Sequence, residues 1–154
     1  MMKEMFEHFT GENAEVYNLL SQKDINQIRI KLGKKHIKES DWTYIREILS
    51  AHNVIVLEPV VPDAKLSVKE HVLFDNGIMV AFTNIDNCRE YVNTINRRDG
   101  AQNRIFQLGT MPFESVTDIS KKYGTDLYID LQIKENAVFM VYHQREDRMD
   151  IIKI

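Results

Sequence analysis

Residues 72–92 read VLFDNGIMVAFTNIDNCREYV, and their pattern decides the fold class. Val72 and Phe74 alternate with His71 and Leu73, and Asp75-Asn76-Gly77 supplies residues that tolerate positive φ. The chain then returns as IMVAF. A tight turn of that composition suits a hairpin, because its twist matches that of the flanking strands. Thr83, Asn84 and Asp86 follow as candidate caps for a helix whose apolar stripe is Ile85, Cys88, Val92 and Ile95, with Tyr91 beside it. Strand, turn, strand and helix in so short a span predict a sheet with helices packed against it.

Working outward, RIFQLG predicts a strand, and Thr110 is placed to cap a helix over MPFESVTDISKKYG, with Pro112 tolerated in its first turn. Phe113, Val116, Ile119 and Tyr123 line one face of that helix, and Gly124 ends it. DLYIDLQI and AVFMVYH predict a second hairpin across Lys134-Glu135-Asn136, and REDRMDIIKI is either a final strand or a frayed end. Upstream, VIVLEPV has the short β-branched look of a buried strand, followed by PDAKL as a loop.

The first third reads as helical. Val16, Leu19 and Leu20 share one side of GENAEVYNLLSQ. Ser21 with Asp24 forms a capping box for KDINQIRIKL, whose stripe is Ile25, Ile28 and Leu32 and whose stop is Gly33. Ser40 and Asp41 are candidate caps for WTYIREILSAHN, which turns Trp42, Ile45, Ile48 and Leu49 inward. The expectation is an α+β (mixed α/β) fold: one mixed, mainly antiparallel sheet with packed helices. Residues 1–53 form a helical segment on the sheet, 54–154 an α/β domain, and the two together one unit.

A chain of 154 residues has the length of one domain, and 44% apolar with 28% charged residues is a globular mixture. The formal charge of −3 argues against a general binder of nucleic acid or anionic membrane. A single cysteine, Cys88, excludes an internal disulfide framework and suits a reducing, cytoplasmic setting. The N-terminus carries acids where a signal peptide needs an apolar run, and the longest apolar segment, VIVLEPVV, is broken by Glu58 and Pro59. No membrane association is expected.

The chemistry-bearing residues are scattered. His8, His36, His52, His71 and His143 lack the spacing of a helical zinc motif, so no metal or other cofactor is expected. Cys88 sits on an apolar stripe, which favours a buried small hydrophobe over a reactive thiol. Asp126 and Asp130 lie about 13 Å apart along a strand, too far to serve one glycosidic bond, and read as a solvated face. Asp147 and Asp150 are a second carboxylate pair. There is no phosphate-cradling glycine loop and no nucleophile elbow. No catalysis is expected.

Two surfaces stand out. Residues 25–38 carry Arg29 and four lysines with no acid among them, and Lys31, Lys34, Lys35 and Lys38 are the candidate contacts to nucleic acid or another anion. Against that, the first 53 residues carry as many acids as bases, and cations near a helix end stabilise the helix in themselves. Met2, Met5, Phe6 and Phe9 give an adaptable apolar face for the domain itself, a second subunit or a protein partner. A sheet edge is a further pairing surface.

The order hairpin, MVAFTNIDNCREYV, strand, MPFESVTDISKKYG, strand LYIDLQ resembles the N-terminal domain of SseB-like bacterial proteins, over roughly residues 54–133. Phe82-Thr83 and Ile85 to Val92 match the family's strand-to-helix step, and Leu127 to Leu131 match its closing apolar strand. Here Asp130 is followed by Leu131 where the family carries proline. The resemblance implies a bacterial α/β domain without an enzymatic role of its own, acting as a binding or regulatory module. A nucleic-acid-binding accessory protein is the alternative.

Overall fold

Apolar residues on both faces of the strands set the layering of this molecule. In the computed structural model, which describes residues 17–59, 73–75, 78–98 and 106–154, the elements follow in the order α1 (Gln22–Leu32), α2 (Glu39–Ser50), β1 (Asn53–Pro59), β2 (Leu73–Asp75), β3 (Ile78–Ala81), α3 (Ile85–Arg98), β4 (Phe106–Pro112), α4 (Phe113–Tyr123), β5 (Leu127–Ile129), β6 (Val138–His143) and β7 (Arg148–Lys153). Val54, Val56, Met79, Ala81, Leu127, Ile129, Met140 and Tyr142 belong to one buried cluster, which α1, α2 and α4 complete with Ile25, Ile28, Ile45, Leu49, Phe113 and Val116. The alternate residues Ile55, Leu57, Val80, Phe82 and Phe139 belong to a second cluster with Cys88, Tyr91, Val92 and Ile95 of α3. Strands covered on both sides read as unbroken apolar runs, which is why VIVL and IMVAF lack polar alternation. Each buried Val, Leu, Ile, Phe or Met side chain among them contributes about 1.5–3 kcal/mol.

The fold is α+β, with mixed pairing that is mainly antiparallel. Among the described residues five strands run in the order β2-β3-β5-β6-β7, and only β3 with β5 is parallel. β1 and β4 form an antiparallel ribbon from Asn53↔Pro112 to Pro59↔Phe106. The ribbon joins the larger sheet where Ile55 and Phe82 exchange backbone hydrogen bonds of 2.8 and 2.9 Å. At the far side β7 is the outer strand among the described residues. The amide of Ile154 donates to Ala137, so in the alternating antiparallel ladder Ile151 turns its own N–H outward, where the Asp150 carboxylate accepts it at 2.8 Å.

Local signals and long-range pairing divide the boundaries between them. Ser21 caps α1 by accepting from the Asp24 amide at 3.1 Å, and Gly33 closes it. Gly124 ends α4 at φ +63°, the left-handed conformation that favours glycine. The helix expected over GENAEVYNLLSQ is absent from the described residues 17–21, which form a turn and an extended stretch. The backbone of Asn18 (φ +53°) accepts instead from the Asn53 amide at 2.8 Å, which ties the segment to the start of β1 and buries Leu19 and Leu20. Lys38, not Ser40 or Asp41, is the N-cap of α2, and Asp41 sits three residues inside. Thr110 is a strand residue paired with Ile55 rather than a cap, and α4 starts only after Pro112. The C-terminal tail is a strand. Met2, Met5, Phe6, Phe9, Val16, His71, the PDAKL loop and Asn76-Gly77 lie outside the described residues.

Candidate functional site

Because β3 and β5 run parallel, their carboxyl ends lie side by side, and the chain leaves each through a polar residue. After β3 come Phe82, Thr83 and Asn84. The Asn84 side chain accepts from the Asn87 amide at 3.0 Å and so caps α3. After β5 comes Asp130 at φ +60°, whose amide donates to the carbonyl of Ala81 at 2.9 Å. That left-handed step ends the alternation of β5 and turns the carboxylate toward its neighbour. Asp130 Oδ1 accepts from the backbone N–H of Thr83 at 2.8 Å, and Oδ2 from its hydroxyl at 2.6 Å. The expected solvated face at Asp130 is thereby corrected: this carboxylate is half-buried and tied into the strand junction.

A cavity of about 70 Å³ opens beside these groups. Thr83, Asn84, Asn87 and Asp130 supply its polar wall, Ile28, Phe139 and Met140 part of its apolar wall, and α1 crosses it with Arg29. Burial pushes the Asp130 carboxyl upward from its ordinary value, while the Thr83 and Asn87 hydrogen bonds and the charge of Arg29 pull it back. Cys88 is fully buried on the α3 face of the sheet, and burial, then the charge of Asp130, raise its thiol far above the nucleophilic range. It packs as a small hydrophobe. In open α/β sheets ligands sit at the carboxyl ends of parallel strands, and this cavity occupies that position.

The basic segment is organised around one acid. Lys31 and Lys34 both reach Asp41 Oδ1, at 3.2 and 2.8 Å, while the Lys38 amide donates to Oδ2 at 2.9 Å. Asp41 is only 3% exposed, and these donors, Lys34 foremost, hold its carboxyl well below the usual range. Lys31 also stacks over Tyr44 at 4.5 Å. Lys35 and Lys38 are exposed beside them. Half of the candidate anion contacts are thus already committed to an internal carboxylate.

The remaining charged clusters clamp elements together. Arg46 of α2 holds Glu114 of α4 through two nitrogens, at 2.9 and 3.0 Å, with Ser50 donating to the same carboxylate. Tyr142 donates to Asp147 at 2.5 Å, beside Lys121 at 3.5 Å. His143 lies 3.1 Å from Asp126 and 3.7 Å from Asp150, joining β5, β6 and β7. Asp147 and Asp150 therefore serve different partners. Among the described residues no group of three His, Cys, Asp or Glu side chains converges to hold a metal, and no helix is long and apolar enough to cross a membrane.

The Arg46–Glu114 pair makes acid stability predictable. Chiefly through its hydrogen bond to Arg46, the Glu114 carboxyl falls from 4.5 to about 2. A folded value below the unfolded one contributes stability that is present above pH 4.5 and is lost as pH falls through about 2. Asp41 acts in the same direction. Glu114→Gln is therefore expected to lose less of its urea midpoint than the parent between neutral pH and about pH 3. Equal losses in the two proteins would show that the pair adds nothing to folding.

The chain matches no family model, no curated protein and no solved structure among those compared. From the sequence Asp130 stands only as a carboxylate beside Asp126 and Thr83 only as a candidate helix cap, not as partners at one site. The one available signal was that aspartate tolerates the left-handed backbone that ends a strand.

Proposed function

We propose that this protein is a non-catalytic binding or regulatory module, similar to SseB-like bacterial proteins, whose ligand position is the cavity under α1 at the ends of β3 and β5. The observation that carries this reading is the Asp130–Thr83 pair: a carboxylate anchored by two hydrogen bonds at adjacent parallel strand ends, on the wall of a cavity with apolar packing opposite. A module without chemistry of its own acts through a protein partner or a second copy, and its lone thiol suits the cytoplasm. The competing reading, nucleic-acid binding through Lys31, Lys34, Lys35 and Lys38, draws less support, because Asp41 already neutralises part of that charge.

The test is recovery of a bound molecule. Protein purified under native conditions is denatured, and the released small molecules are identified by mass spectrometry, beside Asp130→Asn handled identically. A molecule retained by the parent and lost from the variant supports the reading. Retention that ignores the substitution, conversion of the molecule to a product, or release of polynucleotide alone would overturn it.

A further inference from the structure

We infer that the cavity under α1 receives a small zwitterion, an ammonium and a carboxylate held on one carbon as in a small α-amino acid; this rests on the reading of that cavity as the binding site. The two ends of such a molecule are each provided for. Asp130 supplies negative charge on one wall, and Arg29 of α1 supplies positive charge on another. The two are near enough for the guanidinium to favour the ionised carboxylate, yet no ion pair joins Arg29 to a carboxylate among the described residues. A dipolar molecule lying between them completes both charges.

Singly charged ligands fare worse on the same walls. An amine that meets Asp130 is repelled by Arg29, and a carboxylate that meets Arg29 is repelled by Asp130. Unlike charges attract and like charges repel, so the two walls discriminate on both counts. The acceptor inventory agrees. A carboxylate offers about four lone-pair positions. Thr83 takes two of these on Asp130, which leaves positions for an ammonium donor.

Size narrows the class. The cavity of about 70 Å³ is roughly half of the 150 Å³ void that admits benzene. It holds a handful of heavy atoms, with Ile28 and Met140 beside them for a small alkyl group.

The experiment titrates the full chain, isotopically labelled, with glycine, alanine, ethylamine and propionate while amide shifts are followed by NMR. Glycine or alanine is expected to give saturable shifts at Thr83, Asn84 and Asn87, with ethylamine and propionate each weaker by at least about tenfold. Arg29→Gln, on an exposed residue that leaves folding intact, and Asp130→Asn are each expected to weaken alanine by a similar factor. Comparable affinity for ethylamine or propionate would overturn the zwitterion assignment while leaving the cavity as the binding site. Shifts confined to other parts of the molecule, or absent with all four probes, would overturn the assignment too. The retained-molecule experiment above then decides the broader reading separately.

Discussion

Phe82→Ala is expected to lower the free energy of unfolding by about 3–5 kcal/mol, through lost transfer energy plus the void left behind. Phe82 is fully buried, packs against the Tyr91 ring at a centroid distance of 5.3 Å, and holds by its backbone the bridge to Ile55. The tilted aromatic pair adds about 0.5–1.5 kcal/mol beyond area. Domains of this size are stable by about 5–15 kcal/mol, so one side chain accounts for a large share. Urea unfolding should show the midpoint fall with little change in slope. A loss below about 1 kcal/mol would mean that the second core closes around the gap. Phe82→Leu, which keeps most of the volume, should recover much of the difference.

Asp130→Ala comes next, at about 2–4 kcal/mol, from a buried donor left without an acceptor and a side chain forced into left-handed backbone. Thr83 is 3% exposed, so water cannot replace the lost carboxylate freely. Asp130→Asn behaves differently. Asparagine accepts the φ of +60°, and its carbonyl keeps the Thr83 N–H bond. Its effect also depends on pH, with a sign opposite to that of Glu114. Burial raises the folded Asp130 carboxyl above 3.8, so its contribution is present below that value and is lost as pH rises through the raised folded one. The asparagine variant should gain on the parent as pH climbs from about 4 toward neutrality. A stability difference that stays constant over that interval would remove the claim that burial governs this carboxyl.

Legibility from sequence tracked the range of the interaction that decided each feature. The Ser21–Asp24 cap and the Gly124 stop are decided within a few residues and could be read directly. The α3 stripe of Ile85, Cys88, Val92 and Ile95, with Tyr91 beside it, is decided by helical period; all but Ile85, which is half-buried, are buried. Residues 17–21 and 110–112 resisted reading because β1 claims both, through the Asn53–Asn18 bond and the Asn53–Pro112 register. Local helix signals there lost to strand pairing. The candidate site was opaque for the same reason: Thr83 and Asp130 stand 47 positions apart and meet only because β3 and β5 run in parallel.

The carboxylate of Asp150 over the outward amide of Ile151 has a consequence for how these molecules behave in a crowd. An arriving extended peptide must first displace that internal acceptor, and it also meets Arg148 and Lys153 at the two ends of the border. The apolar lettering of MDII thus sits on a margin that discourages fibril-like stacking.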